Sequence, residues 1–224
     1  MRLYHKQQDT ISLHYSKAKK ILVMNQKGGV GKSTCAAALV SNLRLLGYNI
    51  EVIDFNRQHL CYDWAKEVLP GNSQLYNLSL RSLSNIATTL RVKRDTDFVV
   101  IDSPSNFTKG EMTRYTYFVD AILLPMSPSP LDLHTSLPFI KEIIDSGVLS
   151  IRKIALAFIL NRCTENDSRV ERTFQLLQNF RQYPTLAKIS EDIHYQDAFF
   201  YKRAISVSVD PHSWVQVIGW IQEL

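Results

Sequence analysis

Short runs rich in Ile, Val and Leu recur along the chain and alternate with longer stretches whose apolar residues return every three or four positions. A strand buried on both faces reads as a continuous apolar run, whereas a helix covering such a sheet keeps a single apolar stripe. The runs predict strands over 21–25, 50–55, 75–80, 98–102, 121–125, 154–160 and 186–189. The striped stretches predict helices over 32–46, 60–69, 83–92, 109–118, 131–146, 168–183 and 213–224. Strand and helix in regular succession define an α/β protein with a mostly parallel, twisted sheet and helices on both faces, a three-layer arrangement. No repeat, low-complexity block or long linker interrupts the alternation, so residues 20–224 are expected to form one domain. Residues 1–19 show no period and are expected to be a short basic appendage.

Chemistry enters at the end of the first strand. Ile21 to Asn25 runs into Gln26-Lys27-Gly28-Gly29-Val30-Gly31-Lys32-Ser33-Thr34, a glycine-rich turn that opens a helix. Glycines let the backbone curl until successive N–H groups point at phosphate oxygens, and the positive end of the following helix favours the anion. Lys32 is expected to reach the β- and γ-phosphates and the Ser33 hydroxyl to ligate Mg²⁺. The ordinary phosphate loop G-x-x-x-x-G-K-[ST] has glycine where this chain has Gln26 and asks for no lysine at position 27.

Lys27 to Thr34 resembles the deviant Walker A motif of the ParA/MinD family of P-loop ATPases. The resemblance implies a P-loop NTPase fold that binds ATP and Mg²⁺ through residues 27–34. It also implies a trans role for Lys27, which in that family crosses a nucleotide-sandwich dimer to the phosphates of the other subunit. It runs from residue 20 over almost the whole chain. Ile53-Asp54-Phe55-Asn56-Arg57-Gln58 stands where the family has D-x-D-P-Q, which places Asp54 near the metal. Val99 to Pro104 is similar to the Walker B strand and implies that Asp102 holds Mg²⁺ through water. The stretch Leu124 to Leu133, with Ser127-Pro128-Ser129-Pro130-Leu131-Asp132, resembles one typical of plasmid-partition ParA proteins. Asn161-Arg162 resembles the family's adenine-side pair.

One position departs from that pattern. The second Asp of D-x-D, which in the family positions or activates the attacking water, is Asn56 here, and Arg57 replaces the proline. An amide can orient water but cannot take its proton. Two outcomes stay open: a slow Mg-dependent ATPase with a long-lived ATP state, in which Lys27, Lys32, Asp54 and Asn56 form the catalytic set, or a nucleotide-gated binding protein that scarcely hydrolyses.

Charge narrows the partners. The chain of 224 residues has net charge +5, and residues 1–50 carry eight Lys/Arg against one acid, a local excess of 8 − 1 = +7. Such a leader suits either contact with nucleic acid or a solvated tail. Three widely spaced cysteines, Cys35, Cys61 and Cys163, suggest neither a disulfide framework nor a zinc site, and no apolar run is long enough to span a membrane. Residues 204–224 hold no Lys or Arg, so the basic amphipathic tail of membrane-gripping MinD relatives is not expected, and Trp214, Val217, Ile218 and Ile221 read as a core-facing stripe. The partition-type branch remains. It implies an ATP-dependent homodimer that binds nonspecific DNA, a small ParB-like adaptor, no membrane, and a cytoplasmic, nucleoid-associated location. Arg152, Lys153, Arg169, Arg172, Arg181, Lys188, Lys202 and Arg203 are the candidate DNA contacts.

Overall fold

The computed structural model describes residues 9–76, 86 and 89–224. Its strands are β1 (Thr10–Ser12), β2 (Lys19–Val23), β3 (Ile50–Asp54), β4 (Ser73–Leu75), β5 (Arg91–Lys93), β6 (Phe98–Asp102), β7 (Ala121–Met126), β8 (Ala155–Cys163) and β9 (Thr185–Ser190). Seven of them form one sheet in the order β4-β3-β6-β2-β7-β8-β9, and every neighbouring pair is parallel. From β2 the chain builds outward to β3 and β4, returns through β6, and then builds the other way through β7, β8 and β9. Ligands of open α/β sheets bind beyond the strand ends where the winding reverses. Here that place lies above β2, β6 and β7.

Period-two alternation divides the strand side chains between two cores. Ile21, Val23, Phe98 and Val100 pack on one side with α1 (Lys32–Leu45), α2 (Leu60–Val68), α7 (Ile193–Phe200) and α8 (Pro211–Gln222). Leu22, Met24, Val99 and Ile101 pack on the other with α3 (Lys109–Thr116), α4 (Pro130–Asp145), α5 (Val148–Arg152) and α6 (Ser168–Leu177). The three-layer α/β expectation is met. The stripe on α8 is a core face, with Trp214, Val217, Ile218 and Ile221 all buried.

Several elements differ from the expected bounds. The helix over 83–92 falls largely outside the described residues, and its end is strand β5, Arg91–Lys93. Within the expected appendage, the described residues 9–18 are tied to the domain: Thr10–Ser12 pairs antiparallel with Arg91–Lys93, the Leu13 amide donates to the Leu90 carbonyl at 2.8 Å, and the Leu13 side chain is fully buried. Burying one Leu side chain is worth roughly 1.5–3 kcal/mol, and a single anchoring residue leaves no period to read. The helix from Ser168 stops at Leu177, with Phe180 and Tyr183 closing turns ahead of Pro184, a residue that disfavours helical backbone before it. The structure also adds α5 and α7, which were not expected. The strand expected over 75–80 begins earlier, as Ser73–Leu75, and residues 77–80 lie outside the described residues.

Candidate functional site

The turn between β2 and α1 is shaped by glycine. Gly29 and Gly31 have φ of 82° and 93°, values that carry a steric cost for any residue with a Cβ. A Cβ on Gly31 would lie 2.0 Å from Asn161 Nδ2, which donates to the Val30 carbonyl at 2.9 Å. The end of β8 therefore clamps the loop from above. Gly31 is the residue preceding α1 and has no side chain to cap it, and among the described residues no side chain accepts from the N–H groups of the helix's first turn.

Lys32, Ser33 and Asp102 meet beneath this turn. Lys32 is buried, and its ammonium donates to the Lys27 carbonyl at 3.0 Å and to Ser105 Oγ at 2.7 Å. Burial lowers its pKa, partly offset by Asp102. Ser33 Oγ donates to Asp102 Oδ2 at 2.5 Å. The other carboxylate oxygen, Oδ1, is buried and has no hydrogen-bond partner among the described residues. Burial, followed by the neighbouring Asp54, raises the Asp102 pKa, while Ser33 and Lys32 oppose the shift. A buried carboxylate oxygen without a partner is costly. A hard cation with oxygen ligands would relieve it, so Ser33 and Asp102 fit Mg²⁺, and the glycine turn with Lys32 fits the phosphates it would accompany.

Register brings Asp54 of β3 beside Asp102 of β6. Yet the Asp54 carboxylate is engaged by its own chain: Oδ1 accepts from the Asn56 amide at 2.7 Å and Oδ2 from the Tyr62 amide at 2.9 Å. The residue before α2, His59, adopts left-handed backbone and makes no side-chain cap. Asp54 takes over that duty from the end of the strand. Burial raises its pKa and the backbone donors lower it again. Asn56 is half-buried, and its Oδ1 accepts from the Gln58 amide at 3.2 Å; Arg57 beside it is exposed.

Several residues of the site carried no role in the sequence. Asn25 is fully buried; its Oδ1 accepts from the Lys27 amide at 2.9 Å, while its Nδ2 donates to the Pro125 carbonyl at 2.8 Å and Ser136 Oγ at 3.1 Å. It ties the start of the loop to β7 and α4. Gln26, which stands in place of a glycine, stitches the loop to the segment after β6: its carbonyl accepts from the Asn106 amide at 2.9 Å and its Nε2 donates to the Phe107 carbonyl at 3.1 Å. Lys27 Nζ pairs with Asp132 Oδ1 on the first turn of α4. The proline-rich stretch after β7 thus contacts the loop through Asp132.

Asn161 and Arg162 part company. Asn161 is buried against the loop, whereas Arg162 is exposed in left-handed backbone. Thr34 is half-buried in the first turn of α1, and Gly28 and Gly29 are exposed. The eight candidate DNA residues are all exposed and spread over α5, α6, β9 and the ends of α6 and α7. Arg169, Lys188 and Arg203 pair with Asp167, Glu171 and Asp197.

A parallel sheet with a glycine-turned phosphate loop at its reversal, a buried lysine and a Ser–Asp pair defines a P-loop nucleotide-binding fold. Residues 21–205 match the family model of the CobQ/CobB/MinD/ParA nucleotide binding domain, and the chain belongs to that family. It is 30% identical over 164 residues to Maintenance of carboxysome distribution protein A of Halothiobacillus neapolitanus, covering 71% of this chain and 73% of that one. Among solved structures it resembles the Cyanothece McdA(D38A)–ATP complex, with TM-score 0.67, 16% identity and coverage of 93% and 96%. A plasmid partition protein from Borrelia burgdorferi gives TM-score 0.60, 18% identity and coverage of 93% and 100%. Likeness at those identities establishes the fold alone.

Proposed function

We propose that this chain is a Mg-dependent ATPase that forms an ATP-gated homodimer, binds DNA without sequence preference and positions a cargo through a small adaptor protein. The observation that carries the nucleotide part is the buried, unpartnered Asp102 Oδ1 beside Ser33, below a glycine turn that ends on the buried Lys32. Mg²⁺, when bound, supplies a positive centre that neutralises charge on the phosphate tail. Ser33 would hold it directly and Asp102 through water, with Asp54 shaping the wall behind them. Residues 27–34 would bind the phosphates, Lys32 drawing the tail into the buried end of the loop. Asn161 holds the loop closed, and Arg162, exposed next to it, is free to meet the nucleotide base.

The cargo reading rests on the relative named for carboxysome distribution. The exposed cations on α5, α6 and β9 suit phosphate contacts that carry no sequence information. No described helix is long and apolar enough to cross a membrane. A second reading, a nucleotide-gated DNA-binding protein with little or no hydrolysis, is favoured by Asn56, whose amide oxygen is already engaged by the Gln58 amide.

Phosphate release measured with and without DNA separates the two readings. Turnover that rises with DNA and adaptor supports the ATPase. ATP-dependent DNA retention without phosphate release supports the gated binder. The DNA part is checked by binding duplexes of unrelated sequence across a salt series, where affinity should fall steeply as counterion release loses its drive. Selectivity for one sequence, or a preference for anionic vesicles, would count against it.

A further inference from the structure

The segment that follows β6 places a serine against the phosphate loop that none of the readings above uses. Ser105 Oγ accepts from Lys32 Nζ at 2.7 Å, and a Cβ built on Gly28 would lie 3.5 Å from the same oxygen. The hydroxyl therefore sits over the exposed backbone of the loop, between Gly28 and the lysine. Its position is fixed from both sides. The Ser103 amide donates to the Val23 carbonyl at 3.1 Å and the Asn106 amide to the Gln26 carbonyl at 2.9 Å. Gln26 Nε2 holds the Phe107 carbonyl, and the buried Phe107 ring packs against Tyr115 and Phe139.

A serine hydroxyl has one proton to give and two lone pairs to receive. Here a lone pair is taken by an ammonium, so the proton points away from Lys32. Among the described residues the hydroxyl donates to nothing. Accepting from a cation also makes a hydroxyl a stronger donor, because hydrogen bonds in a chain polarise one another. The group is a half-buried, preoriented and unused donor, three residues beyond Asp102 on the same segment.

Resting on the nucleotide reading above, we propose that Ser105 is a phosphate-reading residue, donating its hydroxyl to the terminal phosphate of a bound nucleoside triphosphate. It would act alongside Lys32 and tell the triphosphate from the diphosphate. Ser105 is placed for the far end of the phosphate tail because it shares the ammonium expected to reach the β- and γ-phosphates and lies three residues beyond Asp102, which would help to hold Mg²⁺. Engagement of that hydroxyl also reports the last phosphate to the Ser105–Phe107 segment, and through Phe107 to α4.

The test is equilibrium binding of ADP and of the nonhydrolysable triphosphate AMPPNP, each with Mg²⁺, by the wild type, Ser105→Ala and Ser105→Thr. One hydrogen bond to a charged group predicts that Ser105→Ala loses about tenfold or more in AMPPNP affinity, with ADP affinity held within about twofold. Ser105→Thr, which keeps a hydroxyl, should recover most of the loss. Thermal midpoints without nucleotide check that each variant is folded. Equal losses for ADP and AMPPNP would overturn the proposal, since they would make Ser105 only a prop for Lys32, and unchanged AMPPNP binding would overturn it outright. A wild type that binds neither nucleotide would instead strike the nucleotide reading itself, and this proposal with it.

Discussion

Lys27 Nζ lies 3.7 Å from Asp132 Oδ1, so the lysine expected to cross a dimer is held within its own chain by the first turn of α4. The two side chains are 31% and 18% exposed, and an ion pair this open to water is worth at most about 1 kcal/mol. Such a contact is weak enough to be exchanged for a phosphate. It is also strong enough to bias which form the protein adopts.

Asp132→Asn should therefore release Lys27 and shift ATP-dependent dimerisation to lower protein concentration by several-fold, about the value of one such pair. Lys27→Ala should still bind nucleotide but fail to dimerise. Light scattering at graded concentrations with Mg²⁺ and AMPPNP reads both. If Asp132→Asn dimerises like the wild type, the pair does not restrain the lysine, and if Lys27→Ala dimerises normally, the lysine has no trans role.

The two left-handed glycines of the loop should respond differently to the same change. Gly31→Ala places a Cβ 2.0 Å from Asn161 Nδ2 as well as forcing an unfavourable φ, whereas nothing lies within 4 Å of a Cβ on Gly29. Backbone strain alone costs roughly 1–2 kcal/mol, so Gly29→Ala should lower stability by about that much, and Gly31→Ala should cost more and displace Asn161 from the Val30 carbonyl. Urea unfolding of both, together with AMPPNP binding, checks the ranking. Equal losses would mean that the Asn161 clamp yields freely.

Much of this was legible in the chain because it depends on local pattern. Strand β6 falls at Phe98–Asp102, where the apolar run placed it, and the glycine turn lies between β2 and α1, as its spacing required. What remained unread depends on partners distant in sequence. Gln26 looked like a bare departure from a motif, and its work shows only when Asn106 and Phe107 are set against it. Asn25 needed Pro125 and Ser136, and Thr10–Ser12 needed Arg91–Lys93. Asp54 was singled out through the D-x-D resemblance, yet in the fold its carboxylate stands in for the cap that His59, in left-handed backbone, does not give α2.

A charge on Asp102 is costly: the side chain is fully buried, one oxygen has no hydrogen-bond partner among the described residues, and burial, with Asp54 beside it, pushes the pKa up to about 7. Asp102→Asn keeps an acceptor for Ser33 and removes the buried charge. It should leave the thermal midpoint of the protein without nucleotide unchanged or higher, while abolishing the Mg²⁺-dependent part of AMPPNP binding. Breaking a needed buried interaction would instead destabilise by about 3–5 kcal/mol. A sharp fall in the midpoint would identify Asp102 as a structural carboxylate.

Asn56 makes hydrogen bonds that a carboxylate could keep. Its amide donates to Asp54 Oδ1 and its side-chain oxygen accepts from the Gln58 amide, and a carboxylate at the same position can accept the second bond equally well. Asn56→Asp should therefore fold as the wild type does, and it adds a group able to take a proton from water. Where general-base catalysis operates fully, such a group is worth about 10²–10⁴-fold in rate. Arg57, exposed next to it, can pair with the new carboxylate and hold the gain toward the low end of that range. ATP affinity should change little, because a base acting in the transition state contributes little to ground-state binding. Asp54→Ala is the contrasting variant: it removes the acceptor for the Asn56 and Tyr62 amides and should cost roughly 1–2 kcal/mol of stability, as loss of a helix cap does. Single-turnover hydrolysis by the wild type, Asn56→Asp, Asn56→Ala and Asp54→Ala, with urea unfolding of each, decides the matter. Rapid wild-type hydrolysis that Asn56→Ala leaves untouched would show that the attacking water is held by another residue, and the expectation of a slow, long-lived ATP state would be given up.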